Sequence, residues 1–471
     1  MEEKCEFLEK ESIGKLLFKL SIPVIIGMLV QAIYNVVDTF FVGLFYGTEN
    51  VQPIGGLSIA FPVQMIIMAF GIVLGTGGSS IISRALGARE SEKAEKTLGN
   101  VLSLSLSLSA FIALPCLLYL DPILKVFGAT SGVLPYAKEY LQIIIIGGLF
   151  FVSGVALQNI VRAEGNTRLA MNAMLVGGGL NLLLDPIFMF GFDLGVRGAA
   201  IATVLSQAAA SICLLQYYLN GKSSVRFRTE TLKPDLKIIK AIGTIGFGSF
   251  IMECSSSIMM IFVYNALSIY GGDIALAVFG IIMRINSFIF LPILGIAFGL
   301  QPIVGYNYGA RKFERIGKAV KLSLATTTIF GFIGLILVYL FAEQLLSIFN
   351  TSPTYLAIGK NALVIIILGT PLIGLNVVTS TLFQALGKAR PAFLLSVCRQ
   401  LLFLIPAVIF LPRLYELKGV WAAFPVSDFL AFILSGLMLL RINKLFKKRK
   451  SSLKYNQKSE PKDKTYVSET Q

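Results

Sequence analysis

The sequence predicts an all-α polytopic membrane protein: twelve transmembrane helices in two parallel six-helix lobes. Three observations carry this. Only 14% of the 471 residues are charged and mean hydropathy is +0.77, whereas a soluble domain carries about 25% charged residues. Apolar runs long enough to cross a bilayer recur from end to end, near 18–44, 53–82, 98–120, 134–160, 168–190, 195–219, 240–268, 274–305, 319–342, 358–385, 391–411 and 419–441. The chain also repeats itself at an offset of about 222 residues.

The first run follows an acidic start, "MEEKCEFLEKES", with no positive n-region, so it reads as a retained span rather than a cleaved signal. The connections then alternate in charge. Arg84, Arg89, Lys93 and Lys96 follow the second run, Arg162 and Arg168 the fourth, and Arg226, Arg228 and Lys233 the sixth. Arg311, Lys312 and Arg315 follow the eighth, and Lys388 and Arg390 the tenth. The opposite connections hold scattered cations such as Lys125, Arg197 and Arg413. This positive-inside asymmetry predicts a multi-pass protein of the cytoplasmic membrane with both termini cytoplasmic. The net charge of +15 therefore sets topology and does not argue for nucleic acid. A basic tail over 442–471 is expected to be disordered and to lie near lipid head groups.

The repeat shows in motifs. "LGARESEKA" at Leu86 matches "YGARKFERI" at Tyr308, "RAEGNTR" at Arg162 matches "QALGKAR" at Gln384, and "GVRGAAIA" at Gly195 matches "GVWAAFP" at Gly419. The implied organisation is an N-lobe over 1–219, a cytoplasmic linker over 220–239 and a C-lobe over 240–441. Six spans per half is an even number, so the halves are parallel repeats, a build in which transporters bind substrate between the lobes.

The chain has no histidine, and its five cysteines (Cys5, Cys116, Cys213, Cys254, Cys398) form no C-x-x-C pair. That removes histidine relays, Ser-His triads and zinc sites. No catalytic set is visible, so no enzyme activity, cofactor or resident metal is expected.

Four acids lie inside spans: Asp38, Asp185, Glu253 and Asp428. Each costs about 2.5–3.5 kcal/mol at a helix centre on insertion scales, and such residues mark ion paths by default. Asn181 precedes Asp185 by four residues and shares its helix face. Pro186 follows and removes a backbone donor, predicting a kink. A carboxylate, an amide oxygen and a freed carbonyl suit a hard cation, or a proton if a second acid such as Asp38 is near. Every one of these acids has a structural alternative, namely a hydrogen bond or ion pair to a neighbouring helix, with Arg284 and Arg399 as in-span partners.

"YNVVDTFFVG", "QPIVGYNYGAR", "RAEGNTR", "NLLLDPIF" and "GVRGAAIATVLSQ" together resemble the multidrug and toxic compound extrusion (MATE) family, and its DinF-like branch most. The resemblance spans residues 15–440. It implies a V of two six-helix lobes and a cation-coupled antiporter, driven by Na⁺ or H⁺, that exports amphipathic, mostly cationic drugs as a monomer. It implies a cation or proton site at Asp38, Asn181, Asp185 and Thr203, and a substrate or secondary coupling role for Glu253. In the branch resembling NorM a second acid sits in helix 10. Here that helix has none, and Asn376 lies near the expected place. A flippase for lipid-linked precursors from the wider superfamily is the rival class. It would need a cationic cavity, whereas the candidates expected to face the cleft are acids.

Overall fold

The computed structural model describes residues 7–46, 52–349 and 351–459. Cys5 and residues 460–471 of the expected tail lie outside them. Among the described residues there is no strand. Helices satisfy every backbone group internally, the condition for crossing hydrocarbon.

The N-lobe spans are α1 (Ile13–Tyr46), α2 (Gln52–Gly87), α3 (Ser91–Leu118), α4 (Leu134–Ile146 bent into Gly148–Ala163), α5 (Thr167–Pro186) and α6 (Gly195–Leu219). A 74-residue helical stretch, Leu236–Gly309, breaks at Gly272, whose φ of 62° and ψ of −162° leave the helical region. Tyr264 packs edge-on against Phe279 at 5.8 Å, so the chain reverses there and forms two spans, α7 (236–271) and α8 (273–309). Then come α9 (Phe313–Ser347), α10 (Pro353–Ile367 bent into Thr370–Ala385), α11 (Ala389–Val397, continuing to Phe410) and α12 (Pro412–Ser459, with a break at Glu416). Nine helices and two bent pairs among the described residues are long and apolar enough to span. With Leu236–Gly309 counted as two, the spans are twelve, as the apolar runs predict. The expected disordered tail is helical as far as Ser459.

The repeat reaches backbone conformation. α4 bends by 56° at Gly147 and α10 by 42° at Leu368–Gly369. The turn after α2 puts Arg89 at φ 61° and the turn after α8 puts Arg311 at φ 58°. The turns after α4 and α10 place Gly165 and Gly387 at φ 86° and 69°, a region that favours glycine. In sequence, each member of these glycine and arginine pairs stands 222 residues from its mate.

The lobes meet at the end that carries the basic connections. Leu16, Leu17 and Leu20 of α1 pack with Ile296, Leu300 and Ile303 of α8, and Ile242 and Ile245 of α7 join the N-lobe core. The first halves of α1 and α7 therefore each pack into the opposite lobe. Gly87 lies against the Tyr306 carbonyl and Gly309 against the Arg84 carbonyl, so closely that neither site has room for a Cβ. On the axis relating the halves, the Gln301 amide donates to Ser79 Oγ at 2.8 Å across 222 residues. Large apolar side chains such as Phe111, Leu118, Ile269 and Tyr339 stay exposed, the surface expected of lipid-facing helices.

Candidate functional site

α1, α5 and α6 bring four of the sequence candidates together. Thr167–Pro186 is a regular helix, capped at Asn166 by a bond from Leu169 N–H (3.3 Å). Asn181 and Asp185 therefore lie on one face. The Asn181 amide donates to Asp185 Oδ1 at 3.0 Å and to Thr203 Oγ1 at 3.4 Å. The Thr203 hydroxyl donates to the Ala199 carbonyl at 2.9 Å. Asp38 from α1 comes within hydrogen-bonding range of Asp185. Two carboxyl groups make such a contact only with a proton or cation between them. Asp38 Oδ1, Asn181 Oδ1 and Asp185 Oδ2 are buried without a donor among the described residues. Tyr140 of α4, itself buried, lies beside Thr203. The cluster offers carboxylate, amide and hydroxyl oxygens, a hard donor set that fits Na⁺ or a shared proton. No group of three or more His, Cys, Asp or Glu is clustered as a metal site among the described residues.

Pro186 does not break its helix. The chain passes through it into a π-helical turn, Ile187–Gly191. A missing N–H is absorbed there by a widened turn, a common accommodation in functional helices.

Between the lobes lies a cavity of about 550 Å³, walled by α1, α2, α4, α5 and α6 on one side and α7, α8, α10 and α11 on the other. Tyr34, Gly177 and Gln207 line it. The carboxylate cluster lies one helical turn further along each of the same helices, at Asp38, Asn181 and Thr203. Tyr34 hydrogen-bonds Gln31 and Gln207 and forms the partition between cavity and cluster.

Glu253 and Asn376 also line this cavity. Glu253 makes no ion pair among the described residues, and Arg284, its sequence-level candidate partner, is exposed. The Asn376 amide nitrogen is committed to Ser435 Oγ (3.0 Å), the Leu395 carbonyl (3.4 Å) and Cys398 Sγ (3.7 Å), leaving its oxygen for the cavity. Asp428 takes the structural alternative: Arg399 Nε donates to its Oδ1 at 2.5 Å, tying α11 to α12.

The structure overturns the expectation of an acid-lined cleft. Arg162, read from sequence as a loop cation, is the last turn of α4; it is 7% exposed and lines the cavity, as does Arg399. Charge alternation could not find it, because a basic residue at a span end satisfies the same topological rule whether it faces water or the bundle. Its repeat mate Gln384, which also lines the cavity, was the available signal.

Comparison with known proteins fits this architecture. The MatE family model matches residues 23–187 and again 245–409, two segments with the same offset of 222. The chain is 28% identical to the multidrug export protein MepA of Staphylococcus haemolyticus over 433 residues, 92% of this chain and 94% of that protein. It is 28% identical to MepA of Staphylococcus aureus strain MSSA476 over 422 residues, 89% and 92% of the two chains. Among solved structures, the MATE multidrug transporter DinF-BH superposes with TM-score 0.86 at 42% identity, covering 93% of this chain and 97% of that one. A MATE transporter in an outward-facing conformation superposes with TM-score 0.87 at 30% identity, covering 94% and 98%. The chain belongs to the MatE family and is a multi-pass membrane protein of that multidrug efflux transporter family, with its two-lobed, V-shaped fold.

Proposed function

We propose that this transporter exports amphipathic, mostly cationic drugs across the cytoplasmic membrane in exchange for Na⁺ or H⁺, with Asp38, Asn181, Asp185 and Thr203 as the coupling site. One observation carries the reading. Asp38 lies one helical turn beyond the cavity-lining Tyr34 and Asp185 about two turns beyond the cavity-lining Gly177, on helices that themselves form the wall, and each carries a buried oxygen with no donor among the described residues. A cation or proton arriving there neutralises like charges and lets α1, α5 and α6 repack. That repacking changes the cavity through Tyr34, Gly177 and Gln207. An ion drives the cycle only through this difference in its affinity for the two states. Asp185 and Asp38 exchange the ion, Asn181 and Thr203 orient it, and Glu253 with the Asn376 oxygen holds the cationic end of the substrate.

The lobes are closed at the basic, N-terminal end. With the termini cytoplasmic, this is the state that releases drug outward and loads the ion. The test is dye transport in proteoliposomes under separately imposed Na⁺ and pH gradients. Acceleration by one gradient supports the reading, and indifference to both defeats it. The rival, a flippase for lipid-linked precursors, draws support from the cavity arginines; dye export by purified protein in defined phospholipid decides against it.

A further inference from the structure

Arg162 is the group this reading leaves without a task. The residue is 7% exposed and borders the central cavity. Nη2 donates to Asn159 Oδ1 at 3.0 Å, and the planar group lies over the Phe298 ring of the opposite lobe at 4.6 Å. Nε is buried with no acceptor among the described residues, and no carboxylate among them neutralises it. Glu164, two residues on, spends its oxygens on Tyr218 (2.7 Å), Ser223 (2.7 Å) and the Ser224 N–H (3.1 Å). Glu253 faces the same cavity without reaching it in an ion pair, and Arg399 is already paired with Asp428. A buried, unpaired charge is costly unless a ligand completes it, and a guanidinium with a free N–H edge matches a planar oxyanion.

We propose that Arg162 is an anion subsite of the export cavity, so that the cavity takes zwitterionic amphipaths, with a carboxylate or sulfonate on Arg162 and a cationic end toward Glu253. This rests on the proposal that the inter-lobe cavity is the drug site, and it changes the substrate class that cavity selects. The Phe298 contact adds a conformational element. Separation of the lobes at this end removes the ring from the guanidinium and exposes the anion with it.

A matched dye pair tests this: a rhodamine with a free carboxylate and its ethyl ester, titrated by fluorescence polarisation into the purified full-length protein in lipid nanodiscs. Wild-type protein is expected to bind the carboxylate form at least as tightly as the ester. Arg162→Gln should weaken carboxylate binding about tenfold or more and leave the ester within about twofold. Arg162→Lys, which keeps the charge, should retain part of the preference and provides the comparison if the Gln variant does not fold. Wild-type protein that favours the ester about tenfold, or Arg162 variants that lose both dyes equally, would overturn the anion subsite while leaving the drug cavity standing. A wild-type protein that binds neither dye would overturn both proposals.

Discussion

The two lobes share a plan but differ in where they keep charge. At the repeat offset, the N-lobe acids Asp38 and Asp185 correspond to Met260 and Ala407, and Asn181 to Phe403. The C-lobe instead buries one ion pair, Arg399 with Asp428, which ties two neighbouring helices. Among the described residues, one lobe thus holds a pair of in-span carboxyls with buried oxygens that lack a donor, and the other holds an in-span carboxylate already neutralised. The cavity shows the same asymmetry in smaller form: Glu253 is the mate of Gln31 and Arg162 the mate of Gln384, and all four line it. Each of these two charges is opposed by an amide at the related position. The repeat gives a symmetric frame, and the in-span charges are distributed unequally on it.

The sharpest way to break this comparison is to neutralise one acid in each lobe. Asp185→Asn is expected to reduce gradient-driven export to the level of cells lacking the transporter while the protein keeps its thermal stability, because an amide fits the cluster but carries no exchangeable charge. Asp428→Asn should do the reverse. It strands Arg399, costs about 3 kcal/mol, lowers the melting temperature and leaves coupling intact. Drug resistance measured beside melting curves separates the two, and matching behaviour of both variants would erase the proposed division of labour.

A second test concerns the shared frame. Gly309→Val introduces a Cβ against the Arg84 carbonyl where the lobes close. Overpacking of this kind costs about 1–3 kcal/mol and falls on the closed state alone. Cysteine cross-linking between the lobe ends should drop about fivefold or more by the same energy, with export falling in step. The repeat-related Gly87→Val should act alike, and unequal effects would show that closure is not symmetric.

The smallest effect lies at the N-terminal helix. The Lys312 ammonium donates to Glu9 and holds its carboxyl below the usual glutamate range, with Tyr306 contributing. A depressed folded value means the contact adds stability at neutral pH, lost as pH falls through the folded value. Hydrogen exchange of Phe7–Lys10 should therefore quicken on acidification, by less than about 1 kcal/mol because both partners are half-exposed. Unchanged exchange in Lys312→Ala would show that the packing of Leu8 and the bonds from Asn307 and Arg315 to the Leu8 carbonyl hold the helix without the ion pair.

Much of the fold was legible because bilayer thickness sets span length and the repeat marks itself in turns. Gly165, Gly387, Arg89 and Arg311 sit at left-handed turns, and those turns are the strings that recur. The cluster was legible in part: the four-residue spacing fixes Asn181 beside Asp185, while the approach of Asp38 is a matter of packing between α1 and α5. The polarity of the cavity was not legible. Arg162 and a solvated loop arginine look alike in one dimension, and only the bend of α4 at Gly147 carries its last turn between the lobes. Asp428 had a structural alternative in the sequence, but its partner was not fixed there. Its partner Arg399 lies 29 residues away on another helix, and no local spacing reveals that pair.

The central claim is that the Asp38–Asp185 pair couples ion to drug. The direct measurement is dye flux in proteoliposomes for wild type, Asp38→Asn and Asp185→Asn, each with and without the driving Na⁺ or pH gradient. The account predicts that the gradient accelerates wild type, whereas both variants exchange dye at one rate regardless of it. Gradient-accelerated flux in either variant would contradict the claim.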